Sequence, residues 1–363
     1  MFVVITRNFP PDIGGMQNLM EGLSKGLTNH GPVKIFADEY PDDKNYDQNS
    51  KLEIQRIGGL KIFRKFRKAY AVNEYLKNNK VRAIFFDHWK SVEHIDIQYL
   101  NKHPNFCLIH SKEINHPVGS SLNVRMNKAF RKVKFVIANS KYTKELGVSM
   151  GLGIDKISII HPGTNYPVPL NVNYKNKAKN IFGPNFPKII TVARLDKRKS
   201  HQNILMTIKN LIPTYPDIRY VCVGDGDERS SLEELRKELE IEKQVILLPR
   251  TDEDLKIALI NECDLFLMPS VKYKKSVEGF GISFIEAGSY GKSSIGGIDG
   301  GQSDAIKDGV TGYLCDGNDL NSIYETILRC FHNDHYKVLG LQAEEFSKKF
   351  KWNNIVKQYL DLI

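Results

Sequence analysis

Short apolar runs alternate with longer helical stretches along this chain, and the series starts twice. The first set is FVVIT (2–6), VKIFA (33–37), RAIFF (82–86), FCLIH (106–110), FVIAN (135–139) and ISIIH (157–161). The second is KIITVAR (188–194), RYVCVG (219–224), QVILLP (244–249) and DLFLMPS (264–270). Near-continuous apolar strands, most followed by a helical segment, predict parallel, doubly wound sheets with helices on both faces. Between the two sets, residues 162–187 turn rich in Pro, Asn and Gly, which predicts an interdomain connection. The 363 residues exceed the usual size of one domain. The expected layout is an N-terminal α/β domain over 1–165, a connection over 166–186 and a second α/β domain over 187–345. A C-terminal helix over 346–363 is expected to pack back on the first domain.

A composition of 41% hydrophobic and 26% charged residues describes a folded chain rather than a disordered one. No apolar stretch approaches the roughly 20 residues of a membrane span, and from the strand-like start no secretion signal is expected. Cys107, Cys222, Cys263, Cys315 and Cys330 are scattered, odd in number and form no C-x-x-C pair. Buried free thiols in a reducing cytoplasm are the simplest reading. The net charge of +10 calls for an anionic partner. KIFRKFRKAY (Lys61–Tyr70) interleaves five cations with Ile62, Phe63 and Phe66, and a second basic run covers Arg125–Lys134. Each is either a solvated helix face or a patch for anionic membrane, peripheral on the inner face of the cytoplasmic membrane. Nucleic acid is not expected, since no zinc-finger spacing or aromatic RNA-binding signature occurs.

Several loops after these strands carry residues suited to chemistry. In FPPDIGG, Gly14 and Gly15 precede a helix, a geometry that suits a phosphate or simply a glycine turn. VARLDKRKSHQ places Arg194 just past a strand and Lys199 where a helix begins. Cations there oppose the helix dipole, which a bound diphosphate would offset; a solvated loop is the alternative. VGDGDE (223–228) matches a metal-holding D-x-D pattern, yet Gly-Asp-Gly is equally a tight turn. FCLIHSKE puts His110 and Glu113 after a strand, at the end where ligands gather in such sheets. SVEGFGISFIEAGSYG (276–291) spaces Glu278 and Glu286 eight residues apart around Gly279 and Gly281. Ser283 three residues before Glu286 reads as a capping box, but that accounts for neither Glu278 nor the glycines. A carboxylate pair for sugar hydroxyls, with bare amides beside it, accounts for all of them. GGQSDAIKDGVTGYL then supplies Gly300, Gly301, Gly309 and Gly312.

Taken in order, FPPDIGG, ANSKYT (138–143), IIHPGTN (159–165), VARLDKRK, VGDGDE, EGFGISFIEA and GGQSDAIKDGVTGYL resemble retaining glycosyltransferases of family four. The resemblance implies the GT-B fold: two facing Rossmann-like, doubly wound parallel-sheet domains with a cleft between them. It implies a hexosyltransferase that retains anomeric configuration, needs no metal or other cofactor, and uses a nucleoside-diphosphate sugar. By this resemblance Arg194 and Lys199 bind the donor diphosphate, Glu278 contacts the transferred sugar, and His110 faces the reacting centre. Gly14, Gly15, Gly224, Arg250, Phe280, Gly281, Ile282 and Glu286 are the implied donor-binding set, with Glu286 on the ribose. GDP-mannose is favoured over UDP-sugars as donor. The acceptor is expected to be a saccharide or lipid-linked hydroxyl in polysaccharide, lipopolysaccharide or glycolipid synthesis. A sugar-nucleotide epimerase, a phosphorylase and a non-catalytic nucleotide-sugar or membrane module are the alternatives. Ser200, Pro249 and Asp304 depart from the family pattern, where Gly, Gly and Glu are usual.

Overall fold

Thirteen strands and the helices between them build two all-parallel sheets in the computed structural model, which describes residues 1–363. The chain divides into two compact units, Met1–Gly163 with Lys351–Ile363, and Thr164–Phe350.

The first unit's strands are β1 (Phe2–Ile5), β2 (Val33–Asp38), β3 (Glu53–Ile57), β4 (Ala83–Phe86), β5 (Asn105–Ile109), β6 (Phe135–Ala138) and β7 (Ile157–Ile159), in spatial order 3-2-1-4-5-6-7. β1, β4 and β5 are buried along their whole length, which is why they read as unbroken apolar runs. One core, with Phe86, Trp89 and Phe130, lies on one face; another, with Phe85, Phe106 and Trp352, lies on the other. β3 (EIQRI) escaped the hydrophobic pattern because it is an edge strand with alternating exposed residues.

In the second unit β8 (Lys188–Val192), β9 (Arg219–Val223), β10 (Val245–Leu248), β11 (Leu265–Met268), β12 (Ser293–Gly297) and β13 (Gly312–Cys315) run in the order 10-9-8-11-12-13. β12 (SSIGG) is fully buried yet nearly devoid of large side chains. Neighbouring backbone leaves no room for them: a Cβ on Gly297 would sit 2.1 Å from the Ser270 carbonyl oxygen.

The stretch read as a connection is not featureless. Val172–Phe182 is a helix, started by the Asn171 side chain accepting from Asn173 N–H, and it belongs to the second unit. Ala178 and Phe182, one turn apart, are its buried face against Leu255, Ala258 and Leu259. At the other end, residues up to Phe350 remain with the second unit, and only Lys351–Ile363 joins the first. The Trp352–Leu360 helix lies against the Gly15–Thr28 helix, with Trp352, Ile355, Val356 and Tyr359 buried. All five cysteines are free and buried, and no helix is long and apolar enough to cross a membrane.

A glycine slot seats that last helix. A Cβ on Gly22 would lie 2.3 Å from the Trp352 indole, and one on Gly26 would lie 2.8 Å from Val356. Gly22→Ala gains about 1 kcal/mol of helix propensity but overpacks the slot at a cost of roughly 1–3 kcal/mol. The variant should therefore be less stable in urea denaturation; a more stable Gly22→Ala protein would refute the slot.

Candidate functional site

The second unit gathers its charged motif residues at the carboxyl ends of β8 and β11. After β8 the chain passes Arg194 and enters a short 3-10 turn, Lys197–Lys199. Ser200 then adopts a left-handed conformation (φ 56°) and starts the His201–Leu211 helix. That conformation is the one glycine takes without strain, so the Ser for Gly replacement has a visible consequence. The Ser200 hydroxyl donates to the Gly317 carbonyl at 2.5 Å.

This turn aims Lys199 inward. Its ammonium donates to Glu278 Oε2, and Arg198 Nη1 donates to the same oxygen at 2.6 Å. Asp196 lies 3.9 Å from Arg198, so two cations and two carboxylates balance. Lys199 also lies 3.2 Å from Met268 Sδ, and burial acts to pull its pKa down against the opposing pull of Glu278. For Glu278 burial acts upward, but Lys199 and then Arg198 outweigh it and hold the carboxyl at about 2. Glu278 is thus a permanent carboxylate at neutral pH.

Its backbone is clamped as firmly. Gly301 N–H donates to the Glu278 carbonyl at 2.9 Å, and a Cβ on Gly300 (φ 78°) would lie 2.3 Å from that oxygen. Gln302, wholly buried, holds the loop: its amide donates to Ser270 and Asp299 carbonyls and accepts from Gly297 N–H. Gly281 (φ 93°) begins the Ile282–Gly288 helix with no side-chain cap. The Ser283–Glu286 capping box is therefore absent, and Ser283 faces Met268 Sδ instead. Glu286 is left for another partner, Lys256 at 3.6 Å. Burial raises its pKa, opposed by Lys256, so the two glutamates sit in opposite electrostatic settings. Phe280 is buried on Phe350, and Ile282 is half-buried.

Arg194 is not joined to this cluster by an ion pair or hydrogen bond; its guanidinium is exposed and its carbonyl pairs with His201 Nε2 at 3.0 Å. Arg250 is exposed too, its N–H held by Asp225 Oδ2 at 2.9 Å. Asp225 also contacts Arg229, and a Cβ on Gly224 would lie 1.9 Å from the Ala193 carbonyl. These bonds make VGDGDE a tightly packed turn, and no three His, Cys, Asp or Glu side chains are grouped to hold a metal ion. Sequence reasoning missed Arg198 and Lys256. A run of three cations hides which one turns inward, and Lys256 lies on a distant helix, Glu253–Glu262.

In the first unit Gly14 and Gly15 stand where the Gly15–Thr28 helix starts, with no side-chain cap on its amides. A Cβ on Gly15 would meet nothing, so open space adjoins it. His110 follows β5. Its Nε2 is buried without a hydrogen-bond partner, and burial keeps its pKa low, so the imidazole is neutral. The backbone N–H of His110 donates to Glu113 Oε1 at 2.5 Å, and the next residue, Ser111, is strained at φ 140°.

A family model described as glycosyl transferases group 1 matches residues 173–349. An uncharacterized glycosyltransferase of Methanocaldococcus jannaschii is 30% identical over 98% of this chain and 96% of its own. The GDP-mannose-dependent alpha-(1-6)-phosphatidylinositol monomannoside mannosyltransferase of Mycolicibacterium smegmatis is 22% identical over 88% of this chain and 86% of its own. With another curated relative, 29% identical, the match spans only 50% of that protein's length. The crystal structure of Anabaena HepE in complex with UDP superposes with a TM-score of 0.82 at 17% identity, covering 99% and 98% of the two chains. The fold is GT-B, with two Rossmann-like domains.

Two outcomes follow from the local geometry. Ser200→Ala loses the bond to Gly317 and keeps the strain, costing about 1 kcal/mol, whereas Ser200→Gly also relieves the left-handed penalty of about 1 kcal/mol. Gly should therefore be the more stable variant by thermal denaturation, and the reverse order would refute the strain. The Glu278 carboxyl titrates at about 2 when folded against 4.5 as its ordinary value. Its stabilisation is complete above the unfolded pKa and is lost as pH falls through the folded one. Glu278→Gln should lose about 3 kcal/mol at neutral pH by stranding two cations. That deficit should shrink between pH 4.5 and 2 in urea titrations, and a constant deficit would show that Glu278 is not held down.

Proposed function

Since this chain belongs to the group 1 glycosyl transferases, we propose that it moves a hexose from a nucleoside-diphosphate sugar to a hydroxyl of a saccharide or lipid-linked acceptor, retaining the anomeric configuration. The observation that carries this reading is the Lys199–Glu278–Arg198 cluster beside the Gly281 helix start, inside the segment that the family model matches. Within the cluster charge is balanced, while Arg194 and Lys197 stand exposed beside it in the chain without a carboxylate partner. They leave positive charge available for a diphosphate.

In the proposed reaction the bond from the anomeric carbon to the diphosphate oxygen breaks, loading negative charge on the leaving group. Arg194 and Lys199 stabilise that charge, so no divalent metal is required. The acceptor oxygen bonds to the same face of the sugar, and its proton passes to the leaving phosphate. The products are a glycoside and a nucleoside diphosphate. Glu278, fixed in its ionised form, orients sugar hydroxyls and is not a nucleophile. Glu286 takes the ribose, and the amides of Phe280 and Gly281 flank the sugar. Gly14 and Gly15 serve the phosphates, and neutral His110 faces the reacting sugar.

GDP-mannose is the proposed donor, ahead of UDP-sugars; the similarity to a GDP-mannose-dependent enzyme over most of both chains supports it. The product belongs to polysaccharide, lipopolysaccharide or glycolipid synthesis, on the cytoplasmic side of the membrane. A thermal-shift panel of nucleotide sugars tests the donor, since ligand at about 100 times its Kd adds roughly 2.7 kcal/mol. Nucleoside diphosphate should be released only when acceptor is present. Isomerised nucleotide sugar, or no turnover with any donor, would overturn the reading. Lys199→Ala and Arg194→Ala should each lower kcat about 10²–10³-fold, the usual loss for one preorganised charge-stabilising donor, with circular dichroism unchanged. Near-normal turnover in a folded variant removes that residue from the mechanism.

A further inference from the structure

The first unit contains a cavity of about 290 Å³ whose wall is dominated by cations. It lies where strand order reverses, between β1 and β4, the crevice in which open α/β sheets hold ligands. Arg7 comes two residues after β1, and Lys90 four residues after β4. Lys61, Arg64, Lys65 and Lys68 come from the Lys61–Asn78 helix, and Arg125 from the Ser121–Lys132 helix. The first basic stretch of the sequence and Arg125, the first cation of the second, therefore meet at one hollow.

Only part of this charge is spent within the protein. Lys68 is buried, donates to the Thr6 carbonyl at 2.6 Å and pairs with Asp38, which Arg64 also approaches at 3.9 Å. Arg125 pairs with Glu93 at 2.9 Å. Asp38 and Glu93 are the only carboxylates in the wall, and Arg7, Lys61, Lys65 and Lys90 form no ion pair. Burial, then Arg7 and Arg125, pull the Lys90 pKa down, the mark of like charges crowded together. His94, its Nε2 buried without a partner, packs against Phe66, the ring centroids 4.5 Å apart and the planes tilted by 45°. Ile62, Phe63 and Tyr70 stand exposed on the same helix.

We infer that this cavity binds a phosphate monoester or diester carried by the acceptor, with Arg7, Lys65 and Lys90 as its direct cationic contacts. The inference rests on the transferase reading, since it names the acceptor's chemistry. Arg offers a bidentate fork for phosphate oxygens, and lysines add point charges. The phosphate belongs either to a free phosphorylated polyol or to a lipid headgroup, the exposed apolar residues then facing acyl chains.

The test uses the full chain at low ionic strength, with titration calorimetry of glycerol 3-phosphate against glycerol. A second arm measures sedimentation with vesicles of phosphatidylcholine, with and without phosphatidylglycerol. Lys65→Glu with Lys90→Glu should weaken the phosphate-dependent binding about tenfold or more, as loss of charge-assisted hydrogen bonds implies. Lys128→Glu with Arg131→Glu changes net charge equally outside the cavity and should leave it within about twofold. Loss of glycerol 3-phosphate binding in the first variant alone assigns a free phosphorylated acceptor. Loss of phosphatidylglycerol-vesicle binding in the first variant alone assigns a lipid headgroup. Absence of both bindings in the parent, or equal losses in the two variants, overturns the inference. Thermal shift by GDP and UDP, read in parallel, reports the donor site, so its failure is distinguishable from that of the cavity.

Discussion

A single carboxylate oxygen, Glu278 Oε2, receives hydrogen bonds from both Lys199 and Arg198. Removing these charges from water is unfavourable, and their mutual attraction offsets that loss only if the geometry is held. Much of the second unit's loop structure serves to hold it. The left-handed Ser200 turns the chain so that Lys199 points inward, and the Gly300–Gly301 backbone closes over the Glu278 carbonyl. Buried Gln302 ties the loops after β11 and β12 together. The electrostatics of the site are thus a property of three loops and no single motif.

The two glutamates of the E-x7-E element are not equivalent. Glu278 is pinned in its ionised form by adjacent cations, while Glu286 has one lysine at 3.6 Å and is pushed toward protonation by burial. Hydrogen-bond roles divide accordingly: Glu278 is acceptor-only at any physiological pH, and Glu286 is the more easily protonated of the two. A similar separation marks the first unit. His110, neutral and without a partner on Nε2, adjoins a strained Ser111, whereas the cavity between β1 and β4 is dense with charge.

Legibility followed locality. Ten of the thirteen strands read directly from apolar runs, because buried parallel strands write their hydrophobicity continuously into the chain; the short β13 was not among them. Nor were β3 and β12: one is a half-exposed edge, the other is built of Ser and Gly so that backbones can touch. Lys199 and Glu278 were legible as members of motifs. Arg198 was not, since Lys197, Arg198 and Lys199 are chemically alike until the 3-10 turn points each in a different direction. The capping-box pattern at Ser283 and Glu286 misread a helix that starts on Gly281 without a cap.

What the sequence by itself determined was the class of fold, the places where strands give way to ligand-facing loops, and the excess of positive charge. Periodicity, glycine positions and composition are local quantities, and each acts over a few residues. Only the tertiary structure decided that Arg198 shares Glu278 with Lys199, that Lys256 answers Glu286, and that basic runs about sixty residues apart border one cavity with Arg7 and Lys90. Those pairings depend on strand order and register, which bring distant residues within bonding range through packing that no local pattern encodes.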